Sequence, residues 1–339
     1  MKAVVIEKPG VAVLKKIEKP EIPSGFVRVQ VKTSAICATD LEILSGGIPA
    51  NYPLVPGHEW SGIVEAVAAD VSPTFIGKRV TGSNDVVCLK CDACRGGNWR
   101  YCKDFEEIGF KRNGAYAEYM CVPAYGLCEL PDGLSFTHAV LAEPVGVALG
   151  TLEKVEAKIG DTLLIIGAGS IGLCILQVAA AMGMSKIVVA AQSEKRLTLA
   201  NELGAYAVIA TEKQDLFAEM AKYHPSGSDV VIDATGAEKC IQDSLKLAKK
   251  GGRIGLAGYG GGKEISIRID DIHIGNLKVI GAGNNWNKLK QAVDMIAGGL
   301  VDAERFVSKL IRLDQFEEGF KLAETRPPGF VKAVFDFQL

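Results

Sequence analysis

The sequence lacks most of the features that assign a chain to a class at a glance. Its 38 basic and 40 acidic residues leave a net charge of −2, so there is no basic footprint to attract nucleic acid or an anionic membrane surface. The N-terminal stretch MKAVVIEKPG has neither the apolar core nor the small-residue cleavage site of a secretory signal. One segment, Thr162 to Ser185, is uncharged for long enough to imitate a membrane span. Its three glycines in GAGSIG divide it into a short strand and a helix of about four turns, too short to cross a bilayer. A cytoplasmic location is therefore expected, where thiols stay reduced. The nine cysteines are an odd number in a chain of this length, a poor match to a disulfide scaffold. Histidine is scarce, with only four in the chain.

What is present describes a globular chain of about two domains: 48% apolar and 23% charged residues over 339 positions. In FVRVQVKTSAIC, Val27, Val29 and Val31 alternate with Arg28, Gln30 and Lys32, the period of a half-buried strand. SGIVEAV and AEYMCVP read similarly, so the first part is a strand-rich domain of irregular loops. From Thr162 onward six short β-rich runs (TLLIIG, KIVVAA, YAVIA, DVVIDAT, GRIGLAG and LKVIGA) alternate with helical segments. That alternation predicts a doubly wound parallel sheet of Rossmann type. A helix near 288–297 and a final strand VKAVFDF follow, too little for a domain of their own. They are expected to return to the first domain and make it discontinuous. The expected division is 1–148 with 285–339, carrying a small lobe at 84–104, and 149–284 for the dinucleotide-binding domain.

Gly167, Gly169 and Gly172 sit between the first run and its helix, which opens with Ser170 and Ile171. Such a turn allows close approach of a pyrophosphate, and the helix start offers free N–H groups to it. The acidic residue that usually holds the adenosine ribose belongs at the end of the second strand. Ala191 stands there. Ser193, Lys195 and Arg196 follow and could meet a 2′-phosphate, so the expected cofactor is NADP or NAD, with a lean to NADP.

CLKCDACRGGNWRYC places Cys88, Cys91, Cys94 and Cys102 within fifteen positions. Four thiolates satisfy a tetrahedral zinc ion with no open position, the arrangement of a structural site. A disulfide knot conflicts with the expected compartment, and the gaps differ from the common iron–sulfur ligation patterns. A second set, Cys37 in AICATDLEI, His58 and Glu59 in VPGHEWSG, and Glu143 in LAEPVGVAL, supplies the donor types of a catalytic zinc with an open position. Two zinc ions per chain are expected.

The order GHE, four-cysteine lobe, AEP and GAGSIG resembles the zinc-containing alcohol dehydrogenases of the medium-chain dehydrogenase/reductase superfamily, over nearly the whole chain. Glu143 in place of a third thiolate resembles their sorbitol or polyol dehydrogenase branch. That resemblance implies a GroES-like catalytic domain beside the Rossmann domain. It further implies Cys37, His58 and Glu143 around the metal, with Glu59 as alternate or direct ligand. Thr39 would relay the substrate proton and Asp40 would orient the ligand histidine. Ala257, Gly258, Tyr259, Ile280, Gly281 and Ala282 would line the nicotinamide end. Three departures stand out: Ala38 replaces a basic residue that touches pyrophosphate in some relatives, and Glu42 a histidine of the proton relay. Gly281 and Ala282, aligned through Trp286, replace an arginine–tyrosine pair near the substrate of sorbitol dehydrogenase.

The expected activity is reversible, zinc-dependent oxidation of a secondary alcohol to a ketone, with a polyol or cyclitol favoured. A threonine- or simple-alcohol-type dehydrogenase is the alternative enzyme, and a dinucleotide-binding sensor the rival from another class. The expected assembly is a homodimer or homotetramer.

Overall fold

The computed structural model describes residues 1–283 and 287–339; the expected boundary at 284/285 and the anchor Trp286 lie outside the described residues. The six β-rich runs form one fully parallel sheet. In space its strands run Ala207–Ala210, Lys186–Ala191, Thr162–Ile166, Ser228–Asp233, Ala248–Leu256, Lys278–Gly281. Numbered along the chain this is order 3-2-1-4-5-6, that of a dinucleotide-binding Rossmann sheet. Leu163, Leu164, Ile165 and Ile166 are all buried, as a strand covered on both faces requires. The uncharged run is resolved in the same way. After its strand comes the helix Ser170–Ala181, buried from Gly172 to Ala179. Among the described residues no helix is long and apolar enough to cross a membrane.

The second large sheet has seven strands. Its path is Val307–Ile311, Lys332–Asp336, Phe26–Ala35, Glu59–Val67, Arg79–Gly82, Leu127–Glu129, with Tyr119–Pro123 also paired to Phe26–Ala35. The last strand of the chain thus pairs antiparallel with one near its start, with Val334 opposite Ala35. In Phe26–Ala35 the valines at 27, 29 and 31 are buried while the residues between them are partly exposed. Burial on one face follows the period of two.

One apolar core joins the two sheets. It runs from Ala35 and Val334 of the mixed sheet, through Val145, Ala148 and Leu152, to Leu163, Leu173 and Leu176 of the Rossmann part. The helix Ala142–Lys154 supplies its middle. The expected junction at 148/149 falls inside this uninterrupted helix. Burying each leucine or valine of this core contributes about 1.5–3 kcal/mol, so the helix is a rigid seam between the sheets rather than a linker.

The turn after the first Rossmann strand is tight enough to exclude any side chain at one position. A Cβ on Gly172 would lie 1.9 Å from the carbonyl oxygen of Gly167, whereas one on Gly169 would meet nothing within 4 Å. Gly172→Ala should therefore force the turn apart at a cost of about 1–3 kcal/mol. Gly169→Ala should leave stability near the parent value. Thermal melts of the two variants test this; equal melting temperatures would show that the turn absorbs the methyl group.

Candidate functional site

Strand register brings the scattered donors together. Ala35 pairs with Glu59, so the chain that leaves one strand towards Cys37 faces the chain that enters the next through His58. The third strand adds Lys332, because Ile36 N–H bonds to the carbonyl of Ala333. Cys37 caps the helix Ala38–Ser45, placing Thr39 and Asp40 in its first turn. Candidate ligand atoms of Cys37, His58 and Glu59 all lie within 4.8 Å of one another. Thr39 Oγ1 is 3.5 Å from Cys37 Sγ. Glu143 stands in the first turn of the helix Ala142–Lys154, outside that compact triplet but within electrostatic reach of His58, Glu59 and Lys332.

Asp40 is wholly buried and holds this arrangement. Its carboxylate accepts the N–H groups of Cys37 at 2.9 Å and Gly57 at 3.2 Å, and the Tyr116 hydroxyl at 2.6 Å. The Nδ1 of His58 lies 3.4 Å from it. Burial alone would raise the Asp40 pKa, but the facing His58 and the hydrogen bonds from Tyr116 and Cys37 outweigh it and lower the value. For His58 burial acts downward, yet Asp40 and Cys37 raise its pKa well above the usual range. A basic imidazole with Nδ1 turned to a carboxylate has its other nitrogen free for a metal, the usual state of a ligating histidine. Tyr116 packs so closely that a Cβ on Gly57, at φ +97°, would lie 2.4 Å from its ring. Gly57 of the GHE motif is thus a space requirement as well as a turn.

Glu59 and Lys332 form a buried ion pair, with Nζ 2.7 Å from Oε1 and 2.6 Å from Oε2. Each side chain is only 2% exposed. Burial works against the lysine charge, but the charges of Glu59 and Cys37 raise its pKa on balance. Burial likewise pushes the Glu143 carboxyl up to about 7, opposed by His58 and reinforced by Glu59. Thiol, imidazole and carboxylate groups thus converge on one buried place, the donor set of a cation site. Neither Lys332 nor Tyr116 emerged from the sequence reading; the available signal was a lysine inside the apolar run FVKAVFDF.

In the lobe, Cys88, Cys91, Cys94 and Cys102 also have their sulfurs within 4.8 Å of one another. Cys91 begins the turn Asp92–Arg95, and the backbone N–H of Cys94 leads in lowering its thiol to about 6. Burial, then neighbouring thiols, push Cys94 up to about 12. Four thiols this close cannot all ionise unless a cation joins them, so the set fits a closed zinc site.

The nucleotide positions occupy the rim of the Rossmann sheet. Gly167, Gly169, Ser170, Ile171 and Gly172 form the turn and helix start after the first strand. Ala191 ends the second strand and Ser193 stands just before the next helix, its side chain making no capping bond. Arg196 turns back, its Nε donating to the Phe330 carbonyl at 3.1 Å. Ile280 and Gly281 close the sixth strand. Ala257, Gly258, Tyr259 and Ala282 line a cleft of about 540 Å³ whose other wall includes Arg100, Glu153 and Lys154. Tyr259, on the wall of this cleft, lies within electrostatic reach of His58 and Cys37.

Residues 23–132 match the family model described as an alcohol dehydrogenase GroES-like domain, and residues 170–298 the model of a zinc-binding dehydrogenase. Similar curated proteins include L-threonine 3-dehydrogenases from Rhizobium etli, 31% identical over 99% of both chains, and from Bacillus subtilis, 32% identical over 98% of this chain and 97% of that one. Among solved structures, an Escherichia coli protein described as a short chain alcohol dehydrogenase, complexed with NADH, superposes with TM-score 0.93 at 28% identity over 99% of both chains. A zinc-binding dehydrogenase from Sinorhizobium meliloti, bound to NADP, gives 0.92 at 30% identity over 99% of this chain and 98% of that one.

Two outcomes follow from the site. Elemental analysis of the purified protein should find two zinc ions per chain and only one in Cys88→Ser, with the melting temperature of that variant lower by about 10 °C. A single ion in the parent, unaltered in Cys88→Ser, would remove the lobe site. Lys332→Met should cost about 3–5 kcal/mol by leaving Glu59 buried and unpaired, and adding Glu59→Gln should recover much of that loss. Urea denaturation that places Lys332→Met within about 1 kcal/mol of the parent would mean the pair carries no weight.

Proposed function

The chain belongs to the zinc-dependent alcohol dehydrogenases of the medium-chain superfamily, and from that membership we propose that it oxidises a small, polar secondary alcohol to a ketone. NAD(P)-dependent alcohol oxidation is the family activity; the polar substrate is our reading. The observation that supports it is the cleft lined by Ala257, Gly258 and Tyr259, where Arg100, Glu153 and Lys154 present charges of both signs. Arg100 is paired with Glu107 and Glu153 with Lys288, so the cleft is lined by hydrogen-bonding groups to which a polyol or cyclitol can add its hydroxyls and a hydrocarbon cannot. A second reading, a β-hydroxy-α-amino acid such as L-threonine, is favoured by the curated relatives and by the same mixed charges, which suit a zwitterion.

The residues divide the work in this proposal. Cys37, His58 and Glu59, with Glu143 nearby, would hold the catalytic zinc, and the four lobe cysteines the structural one. When bound, zinc supplies Lewis acidity towards a hydroxyl oxygen and the nicotinamide accepts hydride. Asp40 fixes the His58 ring and, through the N–H of Cys37, the start of the helix that carries Thr39. Thr39 passes the substrate proton outward as one link of a relay. Tyr116, whose pKa burial and Asp40 raise well above the usual range, stays protonated and serves as a donor. Lys332 neutralises Glu59 where water does not reach.

All nine cysteines are free in the structure, which suits a reducing cytoplasm. Among the described residues the last Rossmann strand pairs on one side only; Val279 within it, and Ile265, Ile267, Ile269 and Ile274 shortly before it in sequence, are exposed. Such an edge with apolar surface supports the reading of a homodimer or homotetramer.

Comparison of kcat/KM across polyols, cyclitols, L-threonine and simple alcohols should rank polar secondary alcohols above simple ones by at least about tenfold, equal to 1.4 kcal/mol. His58→Ala should lose turnover by about a thousandfold or more while its dinucleotide affinity stays near the parent value. Simple primary alcohols turned over best would defeat the polar-substrate reading. Turnover near the parent rate in His58→Ala would defeat the metal-assisted one.

A further inference from the structure

The charges on the walls of the cleft that Tyr259 lines do not balance once their partners are counted. Three charged residues line it: Arg100, Glu153 and Lys154. Glu153 stands 2.6 Å from Lys288 and is neutralised there. Lys154 makes no ion pair among the described residues, and its hydrogen bond to the Gly281 carbonyl is long, at 3.5 Å. Burial, then the charge of Arg100, lowers its pKa, as expected of a cation without a counter-ion.

Arg100 is held by one edge. Its Nη1 lies 3.2 Å from Glu107 and 3.9 Å from Asp85, and its guanidinium carbon lies 4.6 Å over the Phe105 ring. Among the described residues Nε and Nη2 meet no acceptor, which leaves part of a rigid donor fork free. The two acids explain why the arginine stays. They face each other across the short ribbon of Asp85–Val86 and Glu106–Glu107, where like charges repel unless a cation lies over them. Asp85 is buried, and its Oδ2 has no hydrogen-bond partner. The ribbon is in turn fastened to the ligand histidine. Asn84, next to Asp85, donates its side-chain amide to the His58 carbonyl at 2.7 Å. Ile108, next to Glu107, donates its N–H to the Asn84 carbonyl at 2.9 Å.

Lys154 comes from the opposite wall. It ends the helix Ala142–Lys154, whose first turn carries Glu143. Eleven residues make about three turns, so the two share one helix face about 16 Å apart. The free cation therefore stands well along that face from the candidate metal ligand at its start. A free guanidinium edge and an unpaired ammonium across one cleft are the donors that a carboxylate or phosphate takes up.

We propose that Arg100 and Lys154 form an oxyanion clamp in this cleft, and that the substrate is an anionic polyol. Its carboxylate or phosphate would sit at the end of the carbon chain remote from the hydroxyl that is oxidised. The clamp rests on the polar secondary alcohol reading and sharpens it from a hydroxylated substrate to a charged one. Arg100, set between two cysteines of the lobe, then becomes a residue of substrate choice.

The test compares kcat/KM for neutral tetritols and hexitols with that for their terminal phosphates and for the matching aldonates. The parent should favour one anionic form over its neutral counterpart by at least about tenfold, with the gain in KM. Whether phosphate or aldonate gains identifies the oxyanion. Arg100→Gln and Lys154→Gln should each cut that preference by about fivefold or more, while Arg100→Lys, which keeps charge without the fork, should retain part of it. Lys154→Gln breaks no ion pair, so it tests the clamp even if Arg100→Gln disturbs the lobe. Equal use of neutral and anionic forms by the parent would overturn the clamp and leave the polar-alcohol reading standing. So would an anion preference unchanged in both glutamine variants. Turnover of simple alcohols with none of either series would bring down the clamp and the polar-alcohol reading together.

Discussion

The buried carboxylate of Asp40 is the constraint on which the catalytic end depends. A wholly buried carboxylate is costly unless every oxygen finds a partner. Here the partners are the backbone of Cys37, the backbone of Gly57, the hydroxyl of Tyr116 and the ring of His58. Each partner belongs to a different piece of chain or to a neighbouring turn. Satisfying one acid therefore sets the helix that begins at Cys37, the loop that delivers His58, and the packing of a large aromatic behind them. The requirement for glycine at 57 follows from the same cluster, since the Tyr116 ring fills the space where a side chain would go. The ligand geometry is thus fixed by a group that need not touch the metal, as expected of partners that orient a metal-binding histidine.

Charge has a similar logic further out. Glu59 is near enough to Cys37 and His58 to act as a ligand, yet it is also gripped by Lys332 through both oxygens. A buried ion pair gives little net stability by itself, but removing either half strands the other. The pair therefore tunes how much negative charge Glu59 offers the site. Glu143, raised to about 7 by burial, sits at the boundary between neutral and ionised at physiological pH. A cation would shift it to the carboxylate, so the site holds one carboxyl group paired with a lysine and one whose charge depends on what binds.

Much of the fold was legible because it depends on local period. The six parallel strands occupy the six β-rich runs, and the uncharged segment divides at its glycines into strand and buried helix. The four-cysteine lobe was legible from spacing alone. Residues whose roles depend on register were not. Lys332 and Tyr116 meet the ligands through strand pairing and packing across 273 and 76 positions of sequence, and no local pattern encodes such distances. The link between the two sheets escaped for another reason. A domain junction was expected at 148/149, but the helix Ala142–Lys154 runs straight through it, since its apolar face serves both sheets at once.

The C-terminal segment joins a loosely held loop to a strand fixed in the middle of a sheet. Lys332 opens a strand hydrogen-bonded on both sides, to Val307–Ile311 and to Phe26–Ala35. Its position is as rigid as the sheet. Arg326 lies six residues earlier, at most about 20 Å of extended chain away, in a loop through Pro327, Pro328 and Gly329. Its ties there are a few hydrogen bonds rather than a ladder: Phe330 N–H to the Pro327 carbonyl, and Arg196 to the Phe330 carbonyl. A rearrangement at the loop can be absorbed before it reaches the strand. The loop can therefore vary in sequence and conformation while the lysine that neutralises Glu59 stays in place, held by the two strands that flank its own.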